Sequence, residues 1–227
     1  MQKTYKNIID QIKCDTDRII LFSSITGKDS ICLTDILCKN FKQVISIYLY
    51  TIKDLSFILR YQKYFESRYN NIKYHHFPHF VLHSWHKNGL LGCEKKKVPN
   101  IPLSKISELM KQHYGIDYAV IGFKKSDSIN RRIMLNEIEK DNYIHPSTKN
   151  CYPLSEYNNK FCFDYIKQNK LITPLNFNPK LKSNDCDPMD IHFLLYCEKN
   201  SKDDLNKIIS IYPETQIKLK MWHDENG

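Results

Sequence analysis

The sequence lacks any apolar run that approaches the roughly 20 residues needed for a membrane-spanning helix. Its first residues, Met-Gln-Lys-Thr-Tyr-Lys, also lack the apolar core of a secretory signal peptide. With a hydrophobic content of 41% and a mean hydropathy of −0.52, these absences predict a soluble, cytoplasmic protein with no membrane partner. At 227 residues, the chain is long enough for one α/β domain and a small appendage.

The cysteines lack the close spacing that metal sites usually use. There are eight, at positions 14, 32, 38, 93, 151, 162, 186 and 197, with no adjacent pair and no Cys-x-x-Cys. Zinc knuckles and iron–sulfur clusters commonly draw on closely spaced cysteines. The pattern therefore predicts no iron–sulfur cluster, and in a cytosolic chain it favours buried free thiols.

Negative charge is in short supply: the formal net charge is +9. Such a balance favours an anionic partner, for which a polyphosphate nucleotide suffices and a nucleic acid is a further candidate. The cations are spread along the chain apart from the run Lys95-Lys96-Lys97, and a lysine run is most often a solvated loop. The sequence predicts neither a specific protein partner nor an oligomeric state.

Strand-like runs alternate with helical patterns through the first two thirds of the chain. The strand-like runs are 18–23, 43–49, 72–77 and 117–123, and the helical patterns are 3–13, 31–37, 55–69, 102–114 and 161–170. This alternation predicts a doubly wound α/β fold, with a mostly parallel sheet and helices on both faces. We expect a nucleotide-binding domain over 1–175 and a helical extension over 176–227, where Pro179, Pro188 and Pro213 punctuate short helices.

The first chemically informative segment is Ile19–Ser30, in which an apolar strand breaks into Ser-Ser-Ile-Thr-Gly-Lys-Asp-Ser. Small residues let the backbone curl so that several N–H groups face one anion, while Lys28 and the next helix add positive charge. The segment is not the Gly-x-x-x-x-Gly-Lys-Ser/Thr loop, since Asp29 separates the lysine from Ser30. An alternative is that Asp29 or Ser30 simply caps the helix.

A second segment, Gly122–Arg132, follows another strand and contains four cations, two hydroxyls and one carboxylate before a predicted helix. Arginine makes bidentate phosphate contacts, and lysine supplies a mobile point charge. The alternative is a capped helix with a solvated basic first turn. That alternative is weakened because cations disfavour a helix N-terminus unless an anion is present.

The first loop resembles the Ser-Gly-Gly-Lys-Asp-Ser pyrophosphate loop of the adenine-nucleotide α-hydrolase superfamily, and most of all its phosphoadenosine phosphosulfate (PAPS) reductase-like branch. Thr26 stands where that family has its second glycine, and one residue is inserted near Ile25. The second segment is similar to the family's Gly-x-Arg-x-x-x-Ser-x-x-Arg, with Lys124 at the first arginine. Tyr152-Pro153-Leu154-Ser155-Glu156-Tyr157 resembles the family's Pro-Leu/Ile-x-Asp-Trp, with Glu156-Tyr157 in place of Asp-Trp. The alternative is that the helix that follows, 161–170, mostly packs against the sheet. The matches span 18–175 in order.

The resemblance implies that ATP or a related adenine nucleotide binds the protein, with Mg²⁺ as the expected metal. The implied phosphate-binding residues are Ser23, Ser24, Thr26, Gly27, Lys28, Ser30, Gly122, Lys124, Ser128, Arg131 and Arg132. Lys28, Asp29 and Arg131 are the implied catalytic residues. The implied reaction is cleavage between the α- and β-phosphates that adenylates a substrate, in sulfur transfer or nucleic-acid modification.

Two alternatives remain open. PAPS reductases use a cysteine in a terminal Glu-Cys-Gly-Leu-His segment, whereas this chain ends Met221-Trp222-His223-Asp224-Glu225-Asn226-Gly227. A reductase would have to use a non-standard cysteine such as Cys186, whose flanking carboxylates disfavour a thiolate. The other alternative is a non-catalytic module that binds a nucleotide or a nucleic acid.

Five of the nine histidines lie within residues 75–86, among Phe77, Phe80 and Trp85. His79, His83 and His86 would share a face of a helix and could bind zinc. Pro78 and Trp85 instead suggest an aromatic loop, and no acidic residue accompanies the histidines. We therefore prefer pocket lining or packing to a metal site, with one histidine as a candidate general base.

Overall fold

The computed structural model describes residues 5–177 and 186–227. Its strands are β1 Arg18–Phe22, β2 Gln43–Tyr50, β3 Ile72–Pro78, β4 Ala119–Ile121 and β5 Asn150–Cys151. Its α-helices are α1 Tyr5–Asp15, α2 Lys28–Asn40, α3 Ser56–Arg68, α4 Leu82–Asn88, α5 Leu103–Tyr114, α6 Ile129–Glu137, α7 Asn159–Gln168, α8 Ile191–Asn200, α9 Lys202–Ile211 and α10 Glu214–Asn226. The first two residues of the predicted helix 3–13 lie outside the described residues. So do Pro179 and Asp185, the latter being one of the two carboxylates that flank Cys186.

The five strands form one sheet in the order β3-β2-β1-β4-β5, with parallel pairing of β1 to β2 and to β4. The central strand β1 is almost wholly apolar because both of its faces are covered, as in the parallel sheets of α/β proteins. Ile20 lies between Ile45 and Ala119 in register. The predicted doubly wound α/β fold with a helical C-terminal part is confirmed.

The chain leaves β1 toward one edge of the sheet, through β2 and β3, and then returns to place β4 on the other side of β1. This reversal of strand order creates a switch point between β1 and β4. In open α/β sheets, ligands bind outside the carboxyl ends of the strands at such a point. The residues that immediately follow β1 and β4, 23–27 and 122–128, lie within the two segments Ile19–Ser30 and Gly122–Arg132 that the sequence singled out.

Three local features differ from the sequence-based expectations. The segment predicted as an aromatic loop contains α4, which ends at Gly89 in a left-handed conformation with φ of 67°. Seven residues are too few for a helical period to show, and Pro78 precedes the helix. Strand β5 has only two residues and was not predicted. Strand β4 is shorter than the predicted 117–123 because Gly122 and Phe123 already belong to the loop.

Two compact units make up the chain. The first comprises residues 1–48, 61–76 and 103–174, and the second comprises 49–60, 77–102 and 175–227. In the second unit, rings of Phe57, Phe177, Phe193 and Tyr196 pack edge-on or tilted against one another. No helix among the described residues has the length and apolar character needed to cross a membrane.

Alkaline pH is expected to destabilise the first unit through its buried phenols. Burial, and then a hydrogen bond to Asp15, raises the pKa of Tyr118 to about 12; burial and Glu156 do the same for Tyr143. A phenol with a raised pKa in the folded state contributes stability that is complete below its unfolded pKa of 10.0 and is lost as pH rises toward 12. Urea midpoints should therefore fall across this window.

The Tyr118→Phe variant should show a shallower fall over the same window. Tyr64→Phe is the matched control in the same unit, since the Tyr64 hydroxyl accepts the Ile172 N–H and has no hydrogen bond to a carboxylate among the described residues. Equal slopes for the wild type and Tyr118→Phe would contradict the assignment.

Candidate functional site

The loop after β1 is held by its own hydroxyl groups. The Ile25 N–H donates to Ser23 Oγ at 2.9 Å, and the Ser24 N–H donates to Ser30 Oγ at 2.9 Å. Ser24 Oγ lies 3.0 Å from Ser30 Oγ, and the Thr26 N–H donates to the Ser24 carbonyl at 2.8 Å. Ile25 has a φ of 65°, which is strained for a β-branched residue, and its side chain is buried. The sequence insertion near Ile25 thus coincides with an unusual turn.

Helix α2 begins at Lys28 and has no side-chain cap, since Gly27 is its N-cap residue. The alternative that Asp29 or Ser30 caps the helix is therefore wrong: both lie in its first turn, and Ser30 Oγ bonds back to the loop. Gly27 is required by space, because a Cβ there would lie 2.6 Å from Ser24 Oγ. An uncapped helix start combines unpaired N–H groups with the positive end of the dipole, which suits an anion.

A chain of ion pairs connects this loop to the segment after β4. Lys28 Nζ lies 3.4 Å from Asp29 Oδ2, and Lys124 Nζ lies 2.5 Å from the same oxygen. Lys124 Nζ is also 3.3 Å from Asp127 Oδ1, and Arg131 Nη1 is 2.8 Å from Asp127 Oδ2. Three cations thus alternate with two carboxylates across the switch point, so the two segments are electrostatically one site.

The three cations differ in how far they reach solvent. The side chain of Lys124 is 0% exposed, that of Lys28 is 15% exposed and that of Arg131 is 43% exposed. Lys124 Nζ lies 2.5 Å from Asp29 Oδ2, but their geometry does not meet the angular requirement of a hydrogen bond. The other carboxylate oxygen, Asp29 Oδ1, has no hydrogen-bond partner among the described residues. Because Lys124 is enclosed, it is placed to hold Asp29 and Asp127, whereas the guanidinium of Arg131 is partly open to solvent.

The remaining residues of the second segment have local structural roles. Ser128 is the N-cap of α6 and accepts the Arg131 N–H at 3.2 Å, so the capped-helix interpretation is correct for this residue. Arg132 Nε donates to the Lys125 carbonyl at 3.3 Å. The guanidinium of Arg131 lies 4.2 Å from the centre of the Phe123 ring, an arrangement that orients its planar head. A direct phosphate contact from Ser128, Lys124 or Arg132 stays a prediction.

Gly122 lets the end of β4 approach α2 closely. A Cβ on Gly122 would lie 3.3 Å from Leu33 Cδ1 and 3.5 Å from Asp29 Cβ. The motif at 152–157 then fixes the loop from its other side: the Lys125 N–H donates to the Ser155 carbonyl at 2.9 Å, and Lys125 Nζ lies 2.7 Å from Glu156 Oε1. Glu156 therefore anchors the basic segment within the first unit.

The ion-pair partners of the motif residues were not predicted from the sequence. Asp127 stands three residues after Lys124 and four before Arg131, a spacing that is visible in the sequence and places it between them. Cys162 interacts with both Cys32 and Asp29, and nothing in the sequence spacing indicates it. A hydrogen bond with Cys32, burial and the charge of Asp29 all raise the pKa of the Cys162 thiol. The Cys162 thiol therefore remains protonated and is not a nucleophile.

The other cysteines are also largely enclosed. The buried free thiols are Cys32, Cys38, Cys93, Cys151, Cys162 and Cys197, whereas Cys14 is exposed and Cys186 is partly exposed. Burial raises the pKa of Cys38 and of Cys151 to about 12. Buried thiols of this kind behave as small apolar side chains.

The structure does not bring His79, His83 and His86 together as metal ligands. His79 Nδ1 accepts the Val81 N–H at 3.1 Å. The Nδ1 atoms of His83 and His86 lie 2.6 and 2.9 Å from the carbonyl oxygens of Val98 and Glu94. Across residues 5–177 and 186–227, no group of three or more histidine, cysteine or acidic side chains could hold a metal ion.

A family model described as the phosphoadenosine phosphosulfate reductase domain matches residues 19–177. No curated protein matches the chain. Among solved structures, the chain is similar to the U34-tRNA thiolase NcsA from Methanococcus maripaludis with its [4Fe-4S] cluster. That match has 18% identity and a TM-score of 0.46, covering 95% of this chain and 78% of the other.

A second similar structure is the predicted subunit of tRNA methyltransferase from Methanocaldococcus jannaschii DSM. The identity is 15% and the TM-score is 0.41, with 84% of this chain and 90% of the other covered.

The expectation about cofactors is corrected by the first of these structures. We expected no iron–sulfur cluster because the cysteines are scattered along the sequence, yet that similar protein carries a [4Fe-4S] cluster. It was wrong to exclude a cluster on the spacing of the cysteines alone, because distance along a chain does not determine distance in a fold. The described residues of this chain hold no group of metal ligands that fits a cluster, and we derive no step through one.

Proposed function

Because this chain belongs to the phosphoadenosine phosphosulfate reductase domain family, we propose that it binds ATP or a related adenine nucleotide at the Ser23–Ser30 loop and transfers the adenylyl group. The observation that carries the proposal is the uncapped start of α2, joined by ion pairs to the segment after β4. Unpaired N–H groups, a helix dipole and three cations converge at the switch point, where phosphates bind in open α/β sheets.

In the proposed reaction, a nucleophilic atom of the second substrate attacks the α-phosphorus. A bond forms between that atom and phosphorus, the bond from phosphorus to the bridging oxygen breaks, and its electron pair leaves with pyrophosphate. The products are an adenylated substrate and pyrophosphate. Such transfers depend on positioning and on the stabilisation of charge, so the protein needs no covalent nucleophile of its own.

Each charged residue has a distinct proposed role. Lys28, in the first turn of α2, stabilises the negative charge that develops on pyrophosphate together with the helix N-terminus. Asp29 positions Lys28 at 3.4 Å and Lys124 at 2.5 Å. Arg131 is the most exposed of the three cations and contacts the phosphates from the opposite side of the site. The net charge of +9 also accommodates a nucleic acid as the molecule to be adenylated or thiolated.

A binding panel tests the nucleotide site. We expect ATP to bind, and the Lys28→Ala and Arg131→Ala variants to weaken its binding by at least about tenfold each, since each removes a charge-assisted phosphate contact. Isothermal titration with ATP, AMP, PAPS and phosphoadenosine phosphate measures this. Lys63→Ala, an exposed lysine on α3, is the matched control and should bind as the wild type does.

Failure of both variants to weaken any of the four ligands would overturn the nucleotide site. Pyrophosphate release measured with candidate nucleophiles then tests the reaction, and ATP binding without any release would favour a non-catalytic module. Turnover of PAPS that is lost in Cys186→Ser would contradict adenylyl transfer and favour a reductase instead.

A further inference from the structure

A basic cavity of about 440 Å³ lies within the second unit of the chain. It is lined by His83, His86, Lys87, Lys95, Lys96, Lys97 and Val98. Its volume falls in the range of small-ligand sites, roughly 300–1,000 Å³. None of these residues belongs to the Ser23–Ser30 loop or to segment 122–132, so the proposed nucleotide site does not account for the cavity.

The two histidines are fixed by backbone carbonyl groups. His83 Nδ1 lies 2.6 Å from the Val98 oxygen, and His86 Nδ1 lies 2.9 Å from the Glu94 oxygen. A carbonyl oxygen can only accept, so each Nδ1 carries the proton and donates it. These bonds set the orientation of both imidazole rings and commit Nδ1, so that Nε2 accepts a hydrogen bond in the neutral ring and donates one to an anion only in the imidazolium form.

The lysines of the cavity have no anionic partner within the part of the chain described. No carboxylate is among the seven lining residues, and no ion pair is found there for Lys87, Lys95, Lys96 or Lys97. The Lys95 stem lies against Gly89, where a Cβ would be 2.9 Å from Lys95 Cε. Four like charges around one cavity repel one another, and a multiply charged anion would relieve that repulsion.

This set of side chains suits an anion and not a cation. A metal ion would meet two imidazoles and four ammonium groups, and lysine ammonium has no lone pair to donate. Phosphate matches the cavity better, since its several acceptor oxygens can bind multiple lysine donors at once. We propose that the His83–Val98 cavity is a phosphate-binding site, separate from the nucleotide loop, for either a free polyphosphate or the phosphates of a nucleic-acid strand.

Two probes distinguish the sources of phosphate, and they are inorganic tripolyphosphate and a short labelled single-stranded RNA. In the full-length protein, Lys96→Ala/Lys97→Ala should lower the affinity for whichever probe binds by about tenfold. If RNA is the ligand, the slope of log affinity against log salt should also become shallower by about 1.4, since each single-strand phosphate contact contributes about 0.7. Titration calorimetry and fluorescence anisotropy measure these changes.

A matched variant separates the cavity from net charge. Lys199→Ala/Lys202→Ala removes the same charge from exposed positions of the same unit and should leave both probes unaffected. Equal losses in both lysine variants, or no binding of either probe, would overturn the proposal.

This site and the nucleotide site fail separately. Lys28→Ala should leave tripolyphosphate or RNA binding dependent on Lys96 and Lys97. When Lys28→Ala is combined with Lys96→Ala/Lys97→Ala, it should weaken ATP binding by the same factor as it does in the wild-type protein. A probe whose binding depends on Lys28 alone would mean that the cavity is not the phosphate site.

Discussion

Replacing Lys124 by alanine should lower the free energy of unfolding by about 3 kcal/mol, because removal of one partner from a buried ion-pair network leaves its counter-charges uncompensated. The Lys124 side chain is fully enclosed, 2.5 Å from Asp29 and 3.3 Å from Asp127. The expected value is at the low end for buried pairs, since the two carboxylates are 23% and 18% exposed. Urea denaturation of both proteins measures the difference.

Two further variants test whether the loss of stability comes from the removed charge. Lys63→Ala removes an exposed lysine from α3 and should change stability by less than about 0.5 kcal/mol. Lys124→Met/Asp29→Asn removes the ammonium together with one of its two counter-charges and should recover part of the lost stability. A Lys124→Ala variant as stable as Lys63→Ala would mean that Lys124 does not hold the two segments together.

Replacing Asp35 by alanine should also destabilise the first unit by about 3 kcal/mol, since hydrogen bonds to a charged group contribute about 1.5–3 kcal/mol. This fully buried carboxylate of α2 accepts from the Tyr165 hydroxyl at 2.6 Å and from the Tyr69 hydroxyl, and it lies 2.7 Å from Lys39 Nζ. It joins α2 to α7 and to the end of α3. Thermal and urea unfolding measure the loss.

A double-mutant cycle tests whether these bonds act together. Tyr165→Phe alone should be destabilising, and it should have little further effect once Asp35 has been replaced. Asp10→Ala, an exposed aspartate of α1, is the matched control. Additive effects of Asp35→Ala and Tyr165→Phe would contradict a shared network. The uncapped N-terminus belongs to α2. Loss of the contacts that fix α2 should therefore also lower the affinity for any anion that binds at this terminus.

Much of the sheet was predictable from the sequence. The runs at 43–49 and 72–77 correspond closely to β2 and β3. Strand β2 is buried through most of its length and rich in apolar residues, as expected of a strand covered on both faces, whereas β3 lies at the edge of the sheet and is only partly buried. The two-residue strand β5 and the seven-residue helix α4 were not predicted, since elements shorter than about two periods leave no repeat in the sequence.

The roles of the site residues were less predictable than their positions. Lys124, Arg131 and Arg132 appear in the sequence as three equivalent cations. In the fold, Lys124 is enclosed, Arg131 is half exposed and stacked on Phe123, and Arg132 donates to a backbone carbonyl. Burial depends on which helix packs over a residue, and Leu33 of α2 lies beside Gly122 only after β4 has joined β1.

The histidine segment gives the same lesson in the second unit. His83 and His86 were expected to line a pocket or to pack, and they line the cavity with Lys95, Lys96 and Lys97. In the sequence, His86 and Lys95 are nine positions apart, and His83 is further from the lysine run. The turn at Gly89, with φ of 67°, ends α4 before the lysine run. The lysine run is therefore part of a cavity wall as well as a solvated segment.

The sequence by itself determined that the chain is an α/β protein, because strand burial and helix starts are encoded by neighbouring residues, and it predicted a loop suited to an anion. It also determined the family, since three motifs that resemble those of the family occur in the family's order along residues 18–175. Only the tertiary structure decided which charges meet, because the ion pairs from Asp29 to Lys124 join residues far apart in the chain. Packing of β4 beside β1 brings them together, and that contact leaves no local pattern in the sequence.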